Sequence, residues 1–391
     1  MIYLDNAATT PIDPRVKEAM LPFLTEQFGN PGSLYKLGRD AKDAVEKARE
    51  QVAKFMGAKP EQIIFTSGAT EANNMVFAMT RPLLEKSGRK SIITTALEHK
   101  SVIRPVQRLS DDGFNVVYLG VDSRYTPIPK DLWHHLRAEP GLVSVMFVNN
   151  EIRHSNDVNA IGRLCKDYGA LFHTDCVQAA SMHPINVERI GCDFATISAH
   201  KIHGPKGVGA LFVKDKSLFE PMILGGAGQE FGMRGGTENV AGIVGFGKAC
   251  ELMVEANTLA ELELIEMMQD SFMFVMGDTI SKAGLGRPWQ LNGSSEYVTK
   301  TLSIRVDGID AESLILMADN AGVCISAGSA CNSIEHTPSH VLTAIGLSAE
   351  QAKSSFRVSF SRMNTIEEAT EAGKIIGECV VTLLGLKHEK A

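Results

Sequence analysis

The feature that most constrains the fold is a recurring pattern of short, β-branched apolar runs that alternate with helical stretches and end in polar clusters. Runs at 62–66, 91–95, 115–119, 142–149, 170–174, 193–197 and 208–213 have the length and composition of buried strands. Residues 39–56 place Ala41, Ala44, Val45, Ala48, Val52, Phe55 and Met56 at helical spacing with charges opposite, the pattern of a helix covering a sheet. The stretch 160–168 reads as a crossover helix. Strand alternating with helix predicts an α/β fold with a mostly parallel sheet covered on both faces. In such a sheet the strand C-termini converge on one ligand crevice. The polar clusters at these ends are Glu98-His99-Lys100, Asn149-Asn150-Glu151 and His173 to Gln178. Any one could be a cap or a turn; three together are harder to explain that way.

Two turns add chemistry. Between the last two apolar runs lies Ser198-Ala199-His200-Lys201-Ile202-His203-Gly204-Pro205-Lys206-Gly207. Lysine is costly to bury unless its pKa is depressed or its amine is bonded covalently. A Schiff base with the aldehyde of pyridoxal phosphate does the second. Alone, this stretch reads equally well as a surface turn with two solvated lysines. After the 62–66 run comes Ser67-Gly68-Ala69-Thr70, then a helical run through Met75, Val76 and Met79. Glycine lets the backbone approach and free helix-start N–H groups attract an anion. An ordinary N-cap has the same appearance, and the Gly-Lys-Ser/Thr ending of a Walker loop is absent.

With 391 residues, two cores are expected. A large domain is read at 13–255. Residues 256–391, with 1–12 returning to them, form a smaller α+β domain of strands 301–306 and 354–360 and helices 257–282, 311–320 and 366–384. A net charge of -7 offers no basic footprint, so neither direct nucleic-acid binding nor membrane attachment is expected. No signal peptide opens the sequence, and its apolar runs are too short to span a bilayer. The seven cysteines show no CxxC pair, which fits reduced thiols in the cytoplasm rather than disulfides or a metal site. Cys331 lies among small and polar residues, 326–333, and reads as a loop thiol, either incidental or chosen for reactivity.

In this order, the motifs resemble those of the NifS/IscS-like cysteine desulfurases, group I, within the class V aminotransferases of fold-type I pyridoxal-phosphate enzymes. The blocks are 3–11, 67–74, 98–100, 149–151, 173–178, 198–207, 234–239 and Ser329-Ala330-Cys331, so the match runs along nearly the whole chain. The resemblance implies a large sheet domain and a small domain bearing the cysteine loop, with pyridoxal 5'-phosphate as cofactor. It implies that Lys201 carries the cofactor, with Lys206 the runner-up. Asp175 would pair with the pyridine nitrogen, Gln178 with the ring hydroxyl, and His99 would stack on the ring and handle protons. Ala69, Thr70, Ser198 and His200 would hold the phosphate, joined by Thr237 from the neighbouring subunit of a homodimer. Asn150 and Arg357 would hold the carboxylate of L-cysteine, and Cys331 would take its sulfur as a persulfide for an acceptor protein. Selenocysteine lyase, a related lyase or aminotransferase, and a sulfur-relay scaffold are the alternatives.

The chain departs from the family pattern at several points. Arg153-His154-Ser155-Asn156 replaces glycine and small apolar residues, and reads as a bulky, positive insertion at the mouth of the site. Gly32-Ser33-Leu34-Tyr35, Gly235 and Ser361 also differ. Together they suggest a dedicated sulfur donor, for DNA phosphorothioation, tRNA thiolation or a specialised iron–sulfur system.

Overall fold

The computed structural model describes residues 1–121, 129–182, 184–226, 228–294, 299–328 and 337–388. Ser329, Ala330 and Cys331 lie outside the described residues. The strands are β1 (Ile2–Tyr3), β2 (Ile63–Thr66), β3 (Ser91–Thr95), β4 (Asn115–Leu119), β5 (Leu142–Ser144) and β6 (Leu171–Asp175), followed by β7 (Phe194–Ser198) and β8 (Gly209–Val213). Beyond them come β9 (Trp289–Asn292), β10 (Thr301–Val306), β11 (Val323–Cys324) and β12 (Ser355–Ser359).

Seven strands make the central sheet, in the order β2-β8-β7-β6-β5-β3-β4. The β4, β3, β5, β6 and β7 run is parallel, whereas β8 is antiparallel to both β7 and β2. The mostly parallel sheet is thus the expected α/β architecture. Strands β2, β5, β7 and β8 are buried along their whole length and β3 and β6 beyond their first residue, which is why they read as continuous apolar runs rather than as alternation. One face packs on the helices Lys36–Met56, Val158–Asp167 and Val240–Glu255 through Val45, Val52, Phe55, Phe172 and Phe246. The other packs on Ala69–Ser87 and Lys100–Asp111 through Met75, Val76, Val102 and Phe194. The 36–56 helix stops at Gly57, whose φ of 63° is the left-handed conformation glycine adopts most easily.

One strand is shorter than its apolar run. The sequence predicts 142–149, but β5 ends at Ser144. Val145 still donates to His173 O, and the next backbone donor, Met146 N, goes instead to the Glu98 carboxyl at 3.0 Å. On the β3 side that carboxyl takes over from the ladder, while on the β6 side backbone bonding continues through Phe147 N, which donates to Asp175 O at 2.9 Å.

The remaining strands form two small sheets, β12-β10-β9 and β1-β11. Their core joins Phe272, Met276, Leu302, Ile304, Phe356, Val358 and Ile376, with the helices Thr258–Lys282 and Ile366–His388 packed together. Leu4 is fully buried in this cluster because β1 pairs with β11 and Asp5 bridges to Ser359. The N-terminal strand thereby delivers residues 5–8 to the C-terminal edge of the central sheet. Among the described residues no helix is long and apolar enough to cross a membrane.

Candidate active site

The ends of β2, β3, β6 and β7, with residues 7–8 and β12, enclose a cavity of ≈ 450 Å³. Ala69, Thr70, His99, Asn150, Asp175, Gln178, Ser198, His200, Lys201 and Arg357 all line it. Of the site residues expected from the sequence, only Thr237 and Cys331 are not among them. Thr237 is exposed and lines an adjoining hollow with Ser67, Arg234 and Asn239. Cys331 is outside the described residues.

One end of the cavity is the start of the Ala69–Ser87 helix. Its first-turn backbone faces the hollow across Gly68, and Gly209 of β8 makes the approach close: a Cβ there would lie 2.8 Å from Gly68 Cα. Glu71 also lines the hollow, but its charge is matched by partners. It accepts from Ser67 N at 2.8 Å and from Arg234 Nε at 2.8 Å. Burial opposes its ionisation, but those hydrogen bonds hold the carboxyl below its ordinary range. This helix end therefore presents a positive dipole and unclaimed space, the arrangement that suits a phosphate.

Along the floor, Asp175 ends β6, 4% exposed, with Oδ1 accepting from Val177 N at 3.0 Å and Oδ2 from Asn73 Nδ2 at 2.8 Å. Lys201 follows β7, and its amine donates to Ala7 O and, at 2.7 Å, to Ala8 O. Lys206, the alternative lysine, stands exposed at the rim. His200 Nδ1 lies 3.2 Å from Thr9 Oγ1, and burial, helped by Lys201 and Lys300, pushes its imidazole down to about 3. Burial also holds His99 below its ordinary range, with Asp175 pulling the other way.

Across the cavity Arg357 is 2% exposed, donating through Nη1 to Asn150 O at 2.9 Å and through Nη2 to Asp5 Oδ1 at 2.7 Å. Among the described residues lining the cavity, Gln178 Oε1, Asn150 Oδ1 and Arg357 Nε are buried with no protein partner. Buried polar groups are nearly always satisfied. Together with the Gly68 cradle, the amine of Lys201 and the carboxylate of Asp175, they fit a phosphorylated, aldehyde-bearing aromatic group with a ring nitrogen and hydroxyl.

The Arg153–Asn156 departure is not a bulky insertion at the mouth. Arg153, His154 and Asn156 are 9%, 0% and 4% exposed. Asn149 N donates to His154 O, and Asn156 Nδ2 to Met146 O at 2.6 Å, so this segment folds inward behind the site. Sequence reasoning also missed several residues. Asn73 and Ser101 join Asp175 to His99, and Lys300, 3% exposed, donates to Asn6 O at 3.3 Å. Glu98 is fully buried, and burial raises its carboxyl to about 8. Glu151 accepts from Ser339 Oγ and faces Gly328, so it meets the chain on both sides of the undescribed 329–336. The clusters at 98–100 and 149–151 and the block 67–74 contained Glu98, Glu151 and Asn73 without giving them a role; nothing pointed to Ser101 or Lys300.

Residues 2–371 match the Aminotransferase class-V family, and the chain belongs to it. Among curated relatives it is 42% identical to cysteine desulfurase IscS of Dictyoglomus turgidum over 94% of this chain and 91% of that protein. It is 40% identical to the putative cysteine desulfurase IscS 1 of Bacillus subtilis over 98% of this chain and 99% of that one. Among solved structures it resembles a NifS-like protein with a TM-score of 0.87 at 35% identity, covering 96% of this chain and 98% of that one. A structure of SspA in complex with cysteine aligns with a TM-score of 0.78 at 32% identity, covering 92% and 99%.

Proposed function

We infer that the protein is a pyridoxal-phosphate-dependent cysteine desulfurase that converts L-cysteine to L-alanine and passes the sulfur to an acceptor protein. The observation that carries this reading is the convergence of Lys201, Asp175, His99 and Arg357 on one cavity beside a glycine-cradled helix start. Full-length relatives named cysteine desulfurase support it.

Bound pyridoxal phosphate supplies an aldehyde that an amine can bond and a ring that accepts electrons from an adjacent carbon. Lys201 is the amine placed to bond it. Asp175 holds a proton at the ring nitrogen, and Asn73 and Val177 keep that carboxylate aimed. Gln178 meets the ring hydroxyl, for which its unsatisfied Oε1 is available. Ala69, Thr70, Ser198 and His200 hold the phosphate at the helix start. Arg357 and Asn150 orient the substrate carboxylate, a bidentate guanidinium suiting a planar anion. Cys331, as thiolate, attacks the substrate sulfur; the S–S bond forms as the C–S bond breaks, the electron pair left on carbon takes up a proton, and alanine leaves. A neutral thiol is a poor nucleophile, so this step requires Cys331 to ionise.

The exposed Thr237, beside the cavity, would meet the phosphate site of a second copy of the chain, which makes the active unit a homodimer. Leu21, Leu24, Phe28, Leu34 and Leu224 are 55–89% exposed, and such apolar residues suit burial between copies. Two domains, 13–255 and 1–12 with 256–391, would meet at the cavity. Six described cysteines are unpaired, in keeping with a reducing cytoplasm.

The test is product formation by the purified yellow protein. L-cysteine should yield alanine, with sulfide under reductant, and Cys331→Ser should abolish both. Alanine release from L-cysteine undiminished in Cys331→Ser would refute the persulfide route.

A further inference from the structure

Two side chains that this reading does not need for contact with substrate or cofactor link the end of β6 to the imidazole at the start of the 100–111 helix. Asn73 Nδ2 donates to Asp175 Oδ2 at 2.8 Å and to Ser101 Oγ at 2.8 Å. Ser101 then meets His99 Nδ1 twice. Its backbone N–H donates to that nitrogen at 3.1 Å, and its hydroxyl oxygen lies 2.8 Å away.

The direction of every bond in this chain follows from the first. A carboxylate only accepts, so the NH₂ of Asn73, not its carbonyl, must face Asp175. The second N–H of the same group points at Ser101 Oγ, which accepts it and keeps its own proton for His99. A backbone N–H can only donate, so His99 Nδ1 must present a lone pair to it. In a neutral imidazole the single proton then sits on Nε2. His99 lines the cavity, and with Nδ1 committed to Ser101, Nε2 is the polar edge left for it.

We propose that His99 is locked as the neutral imidazole with its proton on Nε2, a fixed hydrogen-bond donor rather than a proton shuttle. Ser101 and Asn73 are the positioning residues that impose this form. The tautomer stands on the hydrogen bonds alone; its meaning for catalysis rests on the desulfurase reading.

The surroundings act in the same direction. Protonating Nδ1 would set it against the Ser101 N–H, and His99 caps a 12-residue helix whose positive end disfavours an imidazolium. Burial is the largest influence against the charge; Lys201 after β7, His340 of the His340–Ala344 helix and Lys100 on the same helix add to it. Asp175 alone favours the charge, and its Oδ2 is already engaged by Asn73. The neighbouring Glu98 carries a carboxyl raised to about 8, and its backbone carbonyl accepts from His340 Nε2 at 2.8 Å. A neutral histidine at a helix start serves elsewhere as an electrophilic donor by the same physics. His99 so held can stabilise negative charge through Nε2–H but cannot take up a proton without forming an imidazolium. Proton movement at the reacting carbon then falls to another group, for which the Lys201 amine is placed. This differs from the proton-handling role expected of His99 from the family pattern.

The test is ¹⁵N NMR of the histidine-labelled full chain, with and without pyridoxal phosphate, His99 being assigned by a His99→Gln variant. The expected spectrum has an unprotonated Nδ1 and a protonated Nε2, with no titration between about pH 5 and 8. In Ser101→Ala and Asn73→Ala the midpoint should rise toward the ordinary imidazole value, by about one pH unit or more. A proton on Nδ1, or a wild-type midpoint within that window, overturns the proposal. So does a midpoint that neither variant moves, since Ser101 and Asn73 would then only fill space. If this tautomer is found in a protein that makes no alanine from cysteine, the desulfurase reading fails and the tautomer assignment stands.

Discussion

Arg357 and Asp5 are held 2.7 Å apart at the wall of the cavity, although 352 residues separate them in the chain. The N-terminal strand brings Asp5 beside β12, and the guanidinium, 2% exposed, spans from that carboxylate to Asn150 O. Two of its nitrogens are anchored and Nε has no protein partner. Arg357→Lys keeps the charge but not the fork that reaches both anchors and a ligand. Losing one charge-assisted contact costs about 2 kcal/mol, so KM for L-cysteine should rise about 30-fold. Steady-state kinetics on the holoenzyme checks this; an unchanged KM would remove Arg357 from substrate binding.

Gly209→Ala tests the phosphate cradle without touching any polar group. The added methyl would lie 2.8 Å from both Gly68 Cα and Ile197 O, so the backbone before the helix must shift. Because helix-end hydrogen bonds depend on position, pyridoxal phosphate should bind at least about tenfold more weakly, a loss of about 1.4 kcal/mol. Reconstitution followed by absorbance reads the affinity, and circular dichroism confirms that the chain stays folded. Wild-type affinity in the variant would show that this approach is not what holds the phosphate.

Arg49 and Glu230 form a buried pair that ties the loop bearing Thr237 to the sheet. The guanidinium donates to both carboxylate oxygens, at 2.8 and 2.9 Å, and Phe65 N donates to Glu230 Oε2 at 2.7 Å. Glu230 sits at φ 41°, a strained backbone kept in place by these bonds. Glu230→Ala leaves the buried guanidinium with Glu46, at 3.1 Å, as its remaining carboxylate partner and should cost about 3 kcal/mol. Denaturant titration measures the loss, and less than about 1 kcal/mol would mean that water replaces the carboxylate.

Stability should fall in acidic solution as pH drops below about 6.5. Burial pushes His173 and His200 down to about 3 and His203 to about 4 from 6.5. Below 6.5 the unfolded chain binds protons that these imidazoles refuse in the fold, so their contribution is present above that pH and is lost as pH falls. Glu98 has the opposite sign. Raised from 4.5 to about 8, it contributes fully below 4.5 and its contribution is lost as pH rises through about 8. Three imidazoles outweigh one carboxyl below 6.5, so stability climbs as pH rises to about 6.5; above it Glu98 and Lys300, whose buried amine is held well below its ordinary range, act with opposite signs. Glu98→Gln should flatten the alkaline arm by about 2 kcal/mol up to about pH 8. Melting temperature against pH for both proteins decides it, and an alkaline arm unchanged in the variant would contradict the assignment to Glu98.

How much was legible follows from how local each signal is. The runs that became β3, β4, β7 and β8 were readable because strands buried on both faces carry unbroken apolar stretches. The Gly68 and Lys201 turns were readable because reactive groups must interrupt such stretches. The run at 142–149 misled because apolar content shows burial and not pairing, and the Glu98 carboxyl takes the donor that the next ladder bond would have used. Arg153 and His154 looked like surface residues because nothing in their neighbours' identities says that the segment folds inward. Asn73 lay in a matching block without a role of its own and Ser101 gave no signal: an asparagine in the second turn of one helix and a serine in the first turn of another look like ordinary polar positions.

By itself, then, the order of residues determined the α/β layering, the strand ends at which chemistry gathers, and the lysine, aspartate and histidine gathered there, since hydrophobic periodicity and turn chemistry are properties of neighbouring residues. Only the tertiary structure decided that Asp5 pairs with Arg357, that Asn73 connects Asp175 to Ser101 and His99, and that burial raises the Glu98 carboxyl. Those depend on which distant segments share a dry space, where a hydrogen bond's direction and a carboxyl's charge are set by partners the chain brings from far away.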